Sequence, residues 1–477
     1  MKDSDKDFLY EEVAERIKNQ IASGVLKAGE KLPSIRKLSK DLNISLSTVM
    51  QSYIMLEGLG LVESKPQSGY YVRYRQGKTL PEIELQNPHA VTSKYTGFQL
   101  ASKVHELAKI PKIISLGSGL PELDILPAKS INRIIKKISR DYESVGISYE
   151  FPPGLFDLRR EIAKQSIEWG CEFSPEEIII TSGAIEAITL ALKILTKPGD
   201  TVITESPTYY VIFQLIENLG LKVLEIPTHP RDGINIECLY EALKEHKVSA
   251  CLLYPTINNP LGSVMPKKSR EELYELIAKK NIPMIEANVY GELCFNNSRP
   301  QPVKALDKKG IILYVSSFSK TVAPGYRVGW INPGRYFEKI KHFKFTNTLA
   351  TASLPQIAMS EFLKSGGYER TLKNLRRVYS SRISVLSGYV SEYFPNGTKI
   401  AKPQGGFYLW IELPKRIDSI KLLELALKEN ISIAPGPIFS TKKEYLNYIR
   451  LSCACPWISS AIEEAIRKLG NLCREMM

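Results

Sequence analysis

No stretch of this 477-residue chain approaches the roughly 18 uninterrupted apolar residues of a membrane-spanning helix, so no membrane partner is expected. Met1 to Asp7 alternate charges where a secretory signal would carry an apolar run, and the sequence predicts a cytoplasmic protein. Cysteine is sparse: seven residues, at 171, 238, 251, 294, 453, 455 and 473, with one C-x-C and no C-x-x-C. Such a scattered, odd-numbered set builds neither a disulfide framework nor a zinc module, and the five histidines stand apart from it, so no metal is expected. Repeats and low-complexity tracts are also missing, and 30 Gly and 29 Pro are ordinary usage, which excludes collagen, mucins and tails. What is present is 43% hydrophobic and 24% charged residues, enough to bury a sizeable core in two to four domains.

Basic residues outnumber acidic ones, 64 to 51, which suggests an anionic partner such as nucleic acid or a phosphorylated cofactor. The excess is not gathered at the start. Residues 1–80 hold 13 basic and 10 acidic side chains, so any DNA affinity there must come from placement.

Tyr10, Val13, Ile17 and Ile21 recur at helical spacing, with Gly24 following as a stop. Ser34 then stands as N-cap before Ile35, Leu38 and Leu42; Asn43 and Ser45 bracket a tight turn; Val49, Tyr53 and Leu56 continue a second helix of the pair. This is the helix-turn-helix arrangement. Gly60-Leu61-Val62 and Gly69-Tyr70-Tyr71-Val72, around Lys65-Pro66-Gln67-Ser68, read as a two-stranded wing. The hydroxyls of Ser45, Ser47 and Thr48 open the second helix, where small donors approach phosphates or base edges; Arg36, Lys40 and Lys65 would flank the backbone. A small helical cap with solvated charges would show the same periodicity.

The individual residues separate these readings. Gly24-Val25-Leu26, the run Gly29 to Arg36, Leu38, Leu42, Thr48-Val49, Tyr53, Leu56, Gly60 and Ser68-Gly69-Tyr70 resemble the GntR-type winged helix of bacterial repressors over residues 9–73. That resemblance implies a double-stranded DNA operator, contacted through Arg36, Ser47, Thr48 and the wing near Gly69. One position departs from it. The family usually carries Arg after the turn serine, and here Ser45 is followed by Leu46, which cannot make the bidentate guanine contact.

Residues 74–111 read as a linker. From 112 on, short β-branched runs at 178–181, 201–204, 250–254, 283–286 and 311–315 alternate with helical patterns, which predicts a mainly parallel α/β sheet. From about Gln356, amphipathic helices with the strand-like Gly406 to Ile411 predict a smaller α+β subdomain. Ser316-Ser317-Phe318-Ser319-Lys320, with Arg327 seven residues on, offers an amine beside hydroxyls and a guanidinium, as imine chemistry on the phosphorylated aldehyde pyridoxal 5′-phosphate (PLP) requires. Thr181-Ser182-Gly183-Ala184 lies between a strand and a helix, where backbone N–H groups cradle phosphate. Tyr209 can stack on a pyridine ring, and Asn259 and Tyr290 can each hold a phenolic oxygen. All follow predicted strand ends, where α/β sheets collect ligands.

These motifs, with Gly117 to Pro121, Tyr149, Pro153 to Arg159, Pro198-Gly199-Asp200, Pro403 to Phe407 and Tyr448 to Ser452, resemble fold-type I PLP enzymes of the class I aminotransferase family across about 112–470. The resemblance implies Lys320 as the imine lysine and Ser317, Ser319, Arg327 and the Gly183-Ala184 backbone on the phosphate. It further implies Tyr209 on the ring face, Asn259 and Tyr290 on the phenolic oxygen, and Arg450 clamping an amino-acid carboxylate. The family's ring-nitrogen Asp is missing: Glu286-Ala287-Asn288-Val289-Tyr290 places Ala287 or Asn288 there, so the electron sink fails unless Glu286 reaches the nitrogen.

A winged helix-turn-helix at 1–73 joined to an aminotransferase-like domain at 112–477 resembles the MocR subgroup of bacterial transcription regulators. It implies a homodimer that senses PLP, or PLP bound to an amino compound, and adjusts operator binding. A working aminotransferase with an accessory head is the alternative, and a PLP-free DNA-binding scaffold a third reading.

Overall fold

The computed structural model describes residues 9–23, 25–27, 29–58, 61–65, 68–72, 80–85, 91–93, 98–141, 146–295, 299–442 and 444–477. The head begins with three helices, Leu9–Ala22, Ile35–Leu42 and Leu46–Gly58, and ends in an antiparallel hairpin, Val62–Lys65 with Gly69–Val72. Its punctuation is local. Ser34 Oγ accepts from Lys37 N as the N-cap, and Asn43 closes the second helix with a left-handed φ of 52°. Ser45 Oγ accepts from Thr48 N at 3.0 Å and starts the third helix. Val13, Ile17, Ile21, Leu32, Val49, Tyr53, Leu56, Val62 and Val72 make its core, and Tyr53 donates its hydroxyl to the Pro33 carbonyl at 2.7 Å. Gly24, Gly60 and the Lys65 side chain lie outside the described residues.

The large sheet runs Val91–Ser93, Lys222–His229, Thr201–Ser206, Ala250–Leu253, Met284–Ala287, Ile312–Ser317, Val328–Asn332, Ile179–Ser182. Its central pairs are parallel, while Val328–Asn332 runs antiparallel to both its neighbours. Ile180, Val202, Leu252, Ile285 and Leu313 are fully buried, as strands covered on both faces require. The C-terminal part forms the expected smaller subdomain, with strands Lys399–Ile400, Tyr408–Glu412, Tyr448–Ser452 and Ala434–Pro435 in one antiparallel sheet and the helices Gly367–Tyr393 and Ser459–Glu475 packed together.

The stretch expected as a linker is not bare chain. Phe98–Leu107 is a helix whose Ala101 and Val104 are buried, and Ile83 joins the same apolar cluster beneath the large sheet. Apolar residues three apart give a helix one buried stripe, and ten residues suffice once a surface is there to cover it. Among the described residues, no helix is long and apolar enough to cross a membrane.

Candidate functional site

Loops leaving the C-terminal ends of the parallel strands meet over one pocket. Lys320, just beyond the strand Ile312–Ser317, donates from Nζ to the Gly119 carbonyl at 2.8 Å and lies 5.9 Å from the Tyr290 ring centroid. Burial first, then the charges of Arg450 and Arg327, pushes its ammonium down to about 8. The share present as free, nucleophilic amine near neutral pH is therefore far larger than for an ordinary lysine, although the ammonium still predominates.

Gly183 opens the helix Gly183–Leu195 at a φ of +77°, and a Cβ on it would lie 2.4 Å from Arg327 Nη2. Only glycine meets both demands, so the Arg327 guanidinium reaches the helix N-terminus. There its Nη2 donates to the Ser182 carbonyl at 3.3 Å and its Nη1 to Ser319 Oγ at 3.4 Å. Strand register sets Ser317 opposite Gly329, where a Cβ would strike the Gly183 carbonyl carbon at 2.5 Å. Ser317, Ser319, Arg327, Gly183 and Ala184 thus surround one helix N-terminus, which suits a phosphate dianion.

Arg450, at 1% exposure, donates from Nη1 to Asn259 Oδ1 at 2.9 Å and from Nη2 to the Gly117 carbonyl at 2.6 Å. Its guanidinium carbon sits 4.1 Å from the Tyr408 ring centroid. Among the described residues no carboxylate pairs with Arg450, Lys320 or Arg327. Three cations converging without an anion ask for anionic ligands. Asn259 Nδ2 is buried with no hydrogen-bond partner among the described residues. Tyr290 donates to or accepts from Tyr408 at 3.1 Å between hydroxyls, and burial lifts the phenols of Tyr209 and Tyr290 well above their ordinary value. The recessed amine, the phosphate cradle and the unpartnered Asn259 amide fit PLP.

On the head, Arg36 and Lys40 are exposed along the second helix, and Gly69 starts the second hairpin strand at a φ of +107°. Ser45 Oγ lies 2.7 Å from both Ser47 Oγ and Thr48 Oγ1, so it bonds both of the other expected DNA-facing hydroxyls.

The family profile described as "Aminotransferase class I and II" matches residues 111–469, and the one described as "Bacterial regulatory proteins, gntR family" matches 9–72. The chain is 35% identical to the uncharacterized HTH-type transcriptional regulator YdcR of Escherichia coli K12, over 98% of this chain and 99% of that one. The HTH-type transcriptional regulator NorG of Staphylococcus aureus is 26% identical over 89% of this chain and 95% of its own. A solved kynurenine aminotransferase of Pyrococcus horikoshii superposes with a TM-score of 0.74 at 30% identity, covering 79% of this chain and 95% of its own. The chain belongs to the MocR-type regulators. A gntR-type DNA-binding head is fused to a fold-type I aminotransferase domain, whose family uses PLP.

In this MocR-type chain the stretch where the family holds its ring-nitrogen Asp resolves cleanly. Glu286 is engaged elsewhere: its two carboxylate oxygens accept from Val303 N at 3.0 Å and Lys304 N at 2.7 Å. Its neighbour on the strand, Ala287, faces the opposite side and joins an apolar cluster with Ala184, Leu252, Tyr254 and Val315. Asn288 lies beyond the strand end, with its Oδ1 so near Gly291 that a Cβ there would be 2.0 Å away.

Two pocket residues were not visible in the sequence motifs. His105, on the helix Phe98–Leu107, shares a 2.8 Å hydrogen bond between Nε2 and Tyr210 Oη, and burial with the Arg450 and Lys320 charges depresses its pKa. Tyr408 stacks under Arg450. The only sequence signal for it was its place directly after Gly405-Gly406-Phe407.

Proposed function

We propose that this regulator holds PLP in its aminotransferase domain and reports a small amino-acid ligand to its DNA-binding heads. Bound PLP supplies an aldehyde that captures amines reversibly. Lys320 offers the competing amine; Gly183, Ala184, Ser317, Ser319 and Arg327 hold the phosphate; Tyr209 covers the ring; Asn259 and Tyr290 hold the phenolic oxygen; and Arg450 takes the ligand carboxylate. The observation that carries the sensor reading is the stretch where the family holds its ring-nitrogen Asp: Ala287 and Asn288 bring no carboxylate there, and Glu286 is engaged by two backbone N–H groups.

Contact between the domains supports a readout. Ser381, on the long helix Gly367–Tyr393, donates to the Glu57 carbonyl at the end of the head's third helix at 3.4 Å. Movement of the smaller subdomain therefore meets the DNA-reading helix, and a ligand that favours one arrangement must in turn bind more tightly when DNA favours it. The acting unit is a homodimer: Tyr149, Phe151 and Phe345 are exposed yet arrayed ring to ring, at 5.5 and 6.0 Å between centroids, a row that a second copy would cover. Phe345→Glu is expected to shift the protein from two chains to one in sedimentation equilibrium; an unchanged dimer would remove this surface from the interface.

The main test is binding to the DNA upstream of its own gene, with and without PLP, against a scrambled duplex at fixed salt. Specific binding should change with PLP in the native chain and be indifferent to it in Lys320→Ala, which should also lose the absorbance band of lysine-bound PLP. Equal affinity for the scrambled duplex, with or without PLP, would end the regulator reading. The similarity to solved aminotransferases keeps an enzymatic reading in play; sustained keto-acid release from amino acids with 2-oxoglutarate at ordinary enzyme rates would establish it.

A further inference from the structure

The third helix of the head, Leu46–Gly58, contains no Lys or Arg. Its exposed outer face is Leu46, Ser47, Met50, Gln51 and Ile54, with Leu46 at 52% and Met50 at 48% exposure. Apolar residues at i, i+4 and i+8 on a helix usually mark the buried stripe, but here Val49, Tyr53 and Leu56 already fill that role. The outer row is thus a second apolar face. The contact with the long helix of the smaller subdomain is made at Glu57, at the opposite end from Leu46.

We propose that Leu46 and Met50 read the operator through the 5-methyl groups of thymine, with Gln51 available to adenine, so that this head selects A·T pairs where an arginine would select guanine. The inference rests on the DNA-binding reading above. In the major groove thymine alone presents a methyl group, and apolar side chains are its natural partners, whereas guanine is read by Arg or Lys. The hydroxyls at the start of this helix are already partly engaged, since Ser45 Oγ bonds both Ser47 Oγ and Thr48 Oγ1. Arg36, Lys37 and Lys40, exposed on the preceding helix, are free to set register on the phosphates without specifying sequence.

The test is selection of duplexes from a pool with a random core, using the full-length protein with PLP, followed by titration of a selected duplex. Its contacted thymines are then replaced by deoxyuridine, which removes the methyl and keeps every hydrogen bond. The native chain should lose about fourfold in affinity for each methyl removed. Leu46→Arg, at an exposed position that the fold does not use, should change the guanine-to-thymine affinity ratio at one position by on the order of tenfold. Selected sites with G·C at the contacted positions, or deoxyuridine duplexes bound as tightly as thymidine ones, would overturn the inference while leaving a DNA-binding regulator in place. A pool that yields no enriched sequence would overturn both.

Discussion

Ala287→Asp is expected to give this protein transaminase activity about two orders of magnitude above its native level, the equivalent of ~3 kcal/mol of barrier. The residue lies at the end of the strand Met284–Ala287, in an apolar cluster with Ala184, which itself belongs to the phosphate cradle. A carboxylate there would hold a proton on the ring nitrogen of bound PLP, and the protonated ring is what accepts carbanion charge. Glu286 cannot substitute, because both of its oxygens already accept backbone N–H groups on the other face. A second consequence separates this account from a general change in the pocket. Without PLP the new carboxylate sits in an apolar cluster, opposite Val315 on the next strand, at a cost of roughly 3 kcal/mol if it stays unpartnered, so the variant should melt earlier than the native chain when ligand-free and recover when PLP is added. Keto-acid release and thermal midpoints with and without PLP check both halves. A folded, PLP-loaded variant with no release above background would mean that the ring nitrogen is not what limits turnover.

Arg450→Leu should abolish the amino-acid response while sparing PLP. The guanidinium is buried on the strand Tyr448–Ser452, stacked on Tyr408, and held by the Asn259 amide oxygen and the Gly117 carbonyl. Such a clamp is oriented for a carboxylate before the ligand arrives, and losing one partner of a buried charged pair costs about 3–4 kcal/mol, or roughly 10²–10³ in ligand affinity. Stability should change little, by about 1 kcal/mol in either direction. The substitution removes two hydrogen bonds, but it also removes a buried cation that has no anion in the described structure. Spectral titration with amino acids at fixed PLP reads the affinity. Retention of the native response in Arg450→Leu would move the carboxylate site elsewhere.

The local grammar of the chain was open to reading. Ser34 caps a helix because its hydroxyl satisfies an N–H that the helix leaves bare, and Asn43 ends one because it tolerates left-handed backbone; both effects act within a few residues. The β-branched runs become strands shifted by only one or two residues, as at Ile312–Ser317 and Met284–Ala287. The helix Phe98–Leu107 was hidden because its short apolar stripe becomes favourable only against the sheet, and with it His105 was hidden too.

Residue types and their spacing therefore determined a helical head with a hairpin and a largely parallel α/β domain, while the motif resemblances made the head a winged helix and the domain's lysine, arginines and glycines a set suited to a phosphorylated aldehyde. Propensity, capping and hydrophobic period are short-range, and each is written where it acts. Tertiary structure alone decided that Glu286 is spent on two backbone amides while Ala287 takes the opposite face, and that Lys320, Arg327 and Arg450 meet without a counter-ion among the described residues. It likewise decided that Leu46 and Met50 project outward after Val49 and Tyr53 have filled the core of the head. Burial and charge neutralisation are sums over neighbours far apart in sequence, so which face of a strand or helix carries the chemistry is settled only when those neighbours arrive.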